Sequence, residues 1–95
     1  MNLNLKSIVS RSSAPVWAHI DDEVVMMSLK QNGYFGLDDI GSRVWFLISE
    51  PITIAELHTH LMEEYEVDAK TCETDLLNLL NSLAEQNLIE VNLRE

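Results

Sequence analysis

The chain has 95 residues, enough for one domain of modest size but too few for a multidomain enzyme. Apolar residues make up 46% of it, a proportion typical of globular rather than disordered proteins. Sixteen acids against six bases give a formal charge of −10, and such a surface repels the phosphates of nucleic acids and of anionic membranes.

Residues 1–14 predict a flexible arm, and a single domain is expected over residues 15–95. The arm alternates polar and apolar residues and lacks the continuous apolar stretch of a signal peptide. The longest apolar runs, such as Val44 to Ile48, are far shorter than the roughly 20 residues of a membrane helix. The single cysteine, Cys72, excludes an internal disulfide framework and indicates a reducing cytoplasm.

Three extended segments rich in aromatic and β-branched residues follow the arm and predict an antiparallel meander. They cover residues 16–20, 23–30 and 34–37, and the last turn contains Asn32-Gly33, a strong hairpin signal. The polar Ser28 indicates which face of the second segment is exposed. We therefore expect the core to receive Val25, Met27, Leu29, Phe35 and Leu37, and solvent to receive Val24, Met26, Ser28, Tyr34 and Gly36.

From Asp38 onward the apolar residues recur with a helical period. Three helices are predicted near residues 39–49, 54–65 and 69–86. Their caps are expected at Asp38, at Thr53 with Glu56 in a capping box, and at Asp68. Residues 88–91 predict a short extended tail. The fold class is therefore α+β, a three-stranded antiparallel sheet followed by three helices.

Side chains that could carry catalysis or bind a metal are few and poorly spaced for it. His58 and His60 lie about 200° apart around a helix, so they cannot share one metal ion. Glu56 and His60 could face the same ion, but a third ligand would have to come from elsewhere. Cys72 is expected to be a small core residue. We therefore expect no enzyme activity, no metal and no cofactor.

From Val16 onward the sequence resembles the PqqD-like family, the peptide-recognition modules of ribosomal natural-product pathways. The resemblance covers residues 16–91 and depends on the order and spacing of short segments. These are Gly33 to Asp38, Gly41 to Ile48, Thr53 to Leu57, Leu61 with Tyr65, Asp75 to Leu77, and Leu83 with Asn87 to Ile89. Asn87 stands where the family commonly has glycine, and asparagine tolerates the left-handed conformation of a helix cap.

The resemblance implies a winged-helix-like fold and a non-catalytic, cytoplasmic adaptor. Members of the family bind the leader segment of a precursor peptide as a fourth strand, beside the third strand and against the third helix. They then present it to a separate maturation enzyme. The turn at residues 21–23 and the connection at residues 65–68 resemble the stand-alone members of lasso-peptide pathways, where that enzyme is a leader peptidase. The close alternative is a peptide chaperone of the pyrroloquinoline-quinone type, which serves a radical SAM enzyme.

Binding by strand addition needs an edge strand with unpaired backbone groups and pockets for alternate side chains. The resemblance places that edge at residues 34–37, with the third helix facing it. The expected peptide-binding residues are Tyr34, Phe35, Gly36, Leu37, Asp75, Leu76, Leu79 and Leu80. Gly36 either lets a foreign backbone approach closely or marks a bend before the helix. Which leucines of the third helix line a groove, and which belong to the core, stays open.

The acids are concentrated in the second half, where residues 50–95 hold eleven acids against Lys70 and Arg94. This half suits a leader with basic residues or a basic patch on the partner enzyme. A winged-helix nucleic-acid binder is a remaining alternative, but it would need a basic recognition helix, and the third helix has only Lys70. The second remaining alternative is a structural subunit of a larger assembly. The sequence leaves open the leader motif, the partner enzyme and the oligomeric state.

Overall fold

The computed structural model describes residues 3–13, 16–21, 23–28 and 33–92. The strands in these ranges are β1 (Ile8–Arg11), β2 (Val16–Ile20), β3 (Glu23–Ser28), β4 (Gly33–Gly36), β5 (Ile52–Thr53) and β6 (Ile89–Asn92). The helices are α1 (Asp39–Leu47), α2 (Ile54–Glu64) and α3 (Ala69–Glu85). The predicted α+β class, the meander and the order of the three helices are confirmed.

Strands β2, β3 and β4 form the predicted antiparallel sheet in chain order. In its first turn Asp21 has a φ of 55°, a left-handed conformation that aspartate tolerates better than most residues. The predicted second turn lies outside the described residues except for Gly33, where β4 begins. Strand β4 forms one border of the sheet, and no strand of the described chain pairs with its outer edge.

The two faces of β3 are the reverse of those predicted. Val24 and Met26 are 0% and 1% exposed and belong to the same core as Trp45 of α1, whereas Val25 and Met27 are only half-buried. Both faces of this strand are apolar, so the sequence pattern does not show which face is buried. The prediction depended on Ser28 alone, and one polar residue at the end of a strand was not enough to identify the exposed face. Leu29 lies outside the described residues.

A second antiparallel sheet, in the order β5-β1-β6, includes part of the segment that we predicted to be a flexible arm. Val9 in β1 is fully buried, and β1 pairs with β6 from Ile8 opposite Asn92 to Arg11 opposite Ile89. We predicted no strand here because both partner strands lie far along the chain, and no hairpin turn next to β1 indicates that it pairs with them. The tail predicted over residues 88–91 corresponds to β6.

Arg11 joins the two sheets through the end of α1. Its Nε donates a 2.8 Å hydrogen bond to the carbonyl oxygen of Trp45. Its guanidinium carbon lies 4.8 Å from the ring centroid of Trp17 on β2, within the range of a cation–π contact. Strand β1 is thereby tied to α1 and to the meander at once.

All three helices begin at the predicted caps. Asp38 accepts a 2.8 Å hydrogen bond from the backbone N–H of Gly41, and Thr53 and Glu56 form a complete capping box. Asp68 caps α3 in the same way. The helices surround a core made of Val9, Val24, Met26, Leu37, Val44, Trp45, Ile48, Ile54, Leu57, Leu61, Cys72, Leu76, Leu80, Leu83, Leu88 and Ile89. None of the described helices is long and apolar enough to cross a membrane.

Candidate functional site

The outer edge of β4 offers backbone groups to a further strand. The backbone N–H of Leu37 donates to the carbonyl oxygen of Val24 over 2.8 Å, so Leu37 directs its backbone groups toward β3. In an antiparallel ladder this direction alternates along the chain. Tyr34 and Gly36 therefore direct their N–H and C=O groups away from β3. Tyr34 is also the most exposed large apolar residue described, at 73%.

Ser42 of α1 fastens the end of this edge to the helix layer. The N–H of Val24 donates to Ser42 Oγ over 2.8 Å, and that hydroxyl donates to the carbonyl oxygen of Leu37 over 3.1 Å. The serine is buried, so both bonds are protected from water. The position of β4 relative to α1 is consequently fixed where the strand meets the helix.

A groove runs along α3 and has two parts that meet at Leu79. The outer cleft, about 460 Å³, lies between the end of β4 and the C-terminal half of α3. It is lined by Gly36, Leu37, Leu79, Ser82, Leu83, Glu85 and Gln86. The inner cavity, about 190 Å³, lies between α1, the end of α2 and the N-terminal half of α3. It is lined by Asp38, Ile40, Gly41, Val44, Leu61, Val67, Thr71, Cys72, Asp75, Leu76 and Leu79.

Most of the predicted site residues come together around this groove. Gly36 and Leu37 line the outer cleft, Asp75 and Leu76 line the inner cavity, and Leu79 lines both. Tyr34 lies on the same edge strand, and Phe35 is paired with Met26 through the backbone register of β4. The structure thus places the end of the edge strand beside the face of α3 that carries Leu79.

The position of Leu80 does not agree with its predicted role. Its side chain is 0% exposed, it belongs to the core, and it lines neither part of the groove. Successive residues on a helix point about 100° apart, so Leu79 can line the groove while Leu80 is buried in the core. The assignment of Leu80 to the binding surface is therefore corrected, and of these two neighbours Leu79 lines the groove.

Gly41 is a groove residue to which the sequence analysis gave no role. A Cβ atom at this position would lie 3.2 Å from Cβ of Leu37 and 3.1 Å from Oδ1 of Asp38. A larger residue here would require Leu37 or Asp38 to shift by a few tenths of an ångström, so glycine fits the close approach of α1 to the end of the strand. The sequence contained a sign of this role. Glycine is unfavourable within a helix, so its presence three residues after a helix cap indicates a steric requirement.

The charged side chains that line the groove are Asp38, Asp75 and Glu85, all of them acidic. Asp75 lies close enough to the buried thiol of Cys72 to affect it. Burial, and after it the negative charge of Asp75, raises the pKa of the Cys72 thiol. The groove is therefore apolar along its floor and negative at its rim.

Within the described ranges, no group of three or more histidine, cysteine, aspartate or glutamate side chains is arranged to hold a metal ion. Two histidines, His58 and His19, make contacts within the fold. His58 Nε2 lies 2.9 Å from the carbonyl oxygen of Ala69 and so links α2 to the start of α3. The ring of His19 meets that of Phe46 edge-on, with centroids 5.3 Å apart.

An unpaired edge strand beside an apolar groove is the arrangement of a module that binds extended peptides by strand addition. The family model described as coenzyme PQQ synthesis protein D (PqqD) matches residues 23–89. This match covers more than half of the chain, and the chain belongs to the PqqD family. The resemblance inferred from the sequence is confirmed.

Three solved structures are similar to this chain. TbiB1 in complex with the TbiA(beta) leader peptide is 43% identical, with a TM-score of 0.75, over 90% of this chain and 99% of that one. Lasso peptide synthetase B1 complexed with the leader peptide is 22% identical, with a TM-score of 0.72, over 86% and 96%. The PqqD truncation of Methylobacterium extorquens PqqCD, a stand-alone RiPP recognition element, is 20% identical, with a TM-score of 0.74, over 94% and 95%. The last two show likeness of fold alone. A comparison with curated protein sequences found no match.

Proposed function

We propose that this protein binds the leader segment of a ribosomally made precursor peptide and presents it to a maturation enzyme. The leader pairs with the outer edge of β4 as an additional strand and places alternate side chains in the groove along α3. The observation that carries this proposal is the outward-directed backbone of Tyr34 and Gly36 beside that groove. The 43% identity to TbiB1, a protein solved with a leader peptide bound, supports it.

The residues that we assign to peptide binding are Tyr34, Phe35, Gly36, Leu37, Asp75, Leu76 and Leu79. Tyr34 and Gly36 supply the outward backbone groups for pairing, Phe35 and Leu37 hold this edge to β3, and Leu76 and Leu79 form the apolar floor. Gly36 does not serve a left-handed turn, because the described glycines have no positive φ. At the exposed edge of β4, the absence of a side chain at Gly36 lets another backbone approach closely.

The role that we propose is that of a non-catalytic adaptor in the cytoplasm, where precursor peptides are synthesised. The partner that we favour is the leader peptidase of a lasso-peptide pathway, because the turn and connection noted above resemble the stand-alone members of those pathways. A mixture of precursor and this protein alone should leave the precursor mass unchanged, and cleavage should begin when the peptidase is added. A mass change produced by the purified protein itself would contradict the adaptor role.

Fluorescently labelled synthetic leaders from neighbouring open reading frames test binding directly, by anisotropy titration. Gly36→Pro removes an outward N–H without touching the bonds to β3, and it should weaken binding at least about tenfold. Gly36→Ala is the matched control, because its Cβ would lie 3.9 Å from the nearest atom, the carbonyl oxygen of Val24. It should bind within about threefold of the wild type. Equal affinities for the two variants would contradict strand addition at this edge.

Amide hydrogen exchange locates the bound leader independently of any substitution. Protection should appear in residues 33–38 and 72–83, where the strand edge and the groove lie. Protection centred on residues 58–65 would place the leader on another face. The same titration with a leader of the pyrroloquinoline-quinone type decides between the two pathways, because only the cognate leader should bind tightly.

A further inference from the structure

The rim of the groove has a uniform sign of charge. Asp38 stands at the start of α1, and Asp75 stands on α3, on two walls of the same inner cavity. Glu85 adds a third acid at the far end of the outer cleft. Among the described residues, no lysine, arginine or histidine lines either part.

The nearby bases are engaged with other acids. Arg43 makes a two-pronged ion pair with Glu64, with its Nε 2.7 Å and its Nη2 2.9 Å from the carboxylate oxygens. Lys70 lies 3.9 Å from the carboxylate of Glu73. No base in the described part of the chain forms an ion pair with Asp38 or Asp75.

Both carboxylates of the inner cavity are available to a ligand. Asp38 uses Oδ1 to cap α1, and a carboxylate has a second oxygen that can accept another hydrogen bond. Asp75 is exposed at the rim above the apolar floor formed by Leu76 and Leu79. A side chain that lies along this floor contacts aliphatic surface over its length and meets negative charge at the border.

We infer that the groove selects a cationic leader, with a lysine or arginine whose aliphatic stem lies in the inner cavity and whose charged end lies between Asp38 and Asp75. Long basic side chains bury their stems along apolar surface and keep the charge at its border, which is the pattern of this cavity. The inference rests on the proposed leader binding and specifies the class of sequence that is bound. A positively charged leader should also associate faster with the acidic groove, because opposite charges accelerate the diffusional encounter of two molecules.

A displayed library of random twelve-residue peptides tests the inference without knowledge of the natural leader. The wild-type protein should enrich peptides that combine aliphatic residues with at least one lysine or arginine. For a selected peptide, replacement of that basic residue with glutamine should weaken binding about fivefold, the effect of about 1 kcal/mol. Asp75→Asn should weaken binding of the basic peptide by a similar factor, and it should leave the affinity for the glutamine-substituted peptide unchanged.

Glu90→Gln on β6 is the matched control, since it removes one exposed acid outside the groove and should leave both affinities unchanged. Selection by Asp75→Lys should no longer favour basic peptides over neutral ones. Enrichment of neutral or acidic peptides by the wild type would overturn the charge inference while leaving peptide binding intact. Failure to enrich any peptide would overturn the proposed function and this inference together.

Discussion

The hydroxyl of Ser42 donates to the carbonyl oxygen of Leu37, and this bond places the first turn of α1 inside the end of the β3–β4 ladder. The same hydroxyl accepts from the N–H of Val24. One side chain thus completes the pairing of two strands at the point where they separate. The edge that the leader would use is therefore held in place by α1.

Ser42→Ala should destabilise the protein by about 1–3 kcal/mol, because the N–H of Val24 and the C=O of Leu37 would lose their common partner in a buried place. Denaturant unfolding followed by circular dichroism measures the change in the free energy of unfolding. Ser49→Ala is the control, because Ser49 is exposed just beyond α1. Equal stability of the two variants would show that the Ser42 bridge contributes little.

The local features of this fold could be predicted from the sequence, and the long-range ones could not. Helix caps depend on residues within one turn, so Asp38, Thr53 and Asp68 were identified correctly. Strand β1 was missed because its partners β5 and β6 lie far along the chain. The inner face of β3 was assigned wrongly because its alternation is apolar on both sides, and only the packing of α1 decides between them.

The candidate site shows the same division. Its edge strand follows from chain order and from the resemblance, because β4 ends the meander, and the later strands β5 and β6 belong to the other sheet. Leu79 and Leu80, by contrast, are chemically identical neighbours on one helix. Which of them faces the groove depends on how α3 rotates against α1 and α2, and no local pattern records that rotation.

The contrast between these two leucines is itself testable. Leu80→Ala removes buried methyl groups and should lower the free energy of unfolding by about 2–5 kcal/mol. Leu79→Ala should cost less stability, because its side chain is only half-buried, yet it should weaken leader binding about tenfold or more through loss of the groove floor. Thermal unfolding and anisotropy titration of both variants separate these effects. A larger stability loss for Leu79→Ala would reverse the assignment.

The stability of the fold should fall in acid through its capping carboxylates. The hydrogen bond from the side chain of Thr53, followed by that from its backbone, holds the pKa of Glu56 below its ordinary value of 4.5. The hydrogen bond from the backbone of Thr71, followed by that from its side chain, lowers the pKa of Asp68 from 3.8. A depressed pKa stabilises the folded state above the ordinary value, and this contribution is lost as the pH falls through the folded-state pKa.

Denaturant unfolding at a series of pH values between 7 and 3 should therefore show a steady loss of stability below about pH 4.5. Glu56→Gln cannot titrate at this position, so it should be less stable than the wild type at neutral pH and should lose less on acidification. Glu90→Gln on β6 serves as the control for removing a negative charge. Identical pH profiles for Glu56→Gln and the wild type would contradict a role of this carboxylate in the cap.

Cys72 provides a probe of groove occupancy that needs no added label, since it is the single cysteine of the chain and lines the inner cavity. Only the thiolate reacts readily with alkylating reagents, and burial together with Asp75 raises the pKa of this thiol. Alkylation by iodoacetamide at pH 7 should therefore be slow in the folded protein and fast in denaturant.

A leader that fills the inner cavity should slow this reaction further, by at least about tenfold at saturation, because it covers the remaining access to the sulfur. Asp75→Asn removes the nearby negative charge, lowers the pKa of the thiol and should make the free protein react faster at the same pH. Mass spectrometry of the intact protein over time follows both effects. If saturating leader left the alkylation rate unchanged while binding was confirmed by anisotropy, the leader would pair with β4 without entering the inner cavity, and the contact with Asp75 would not form.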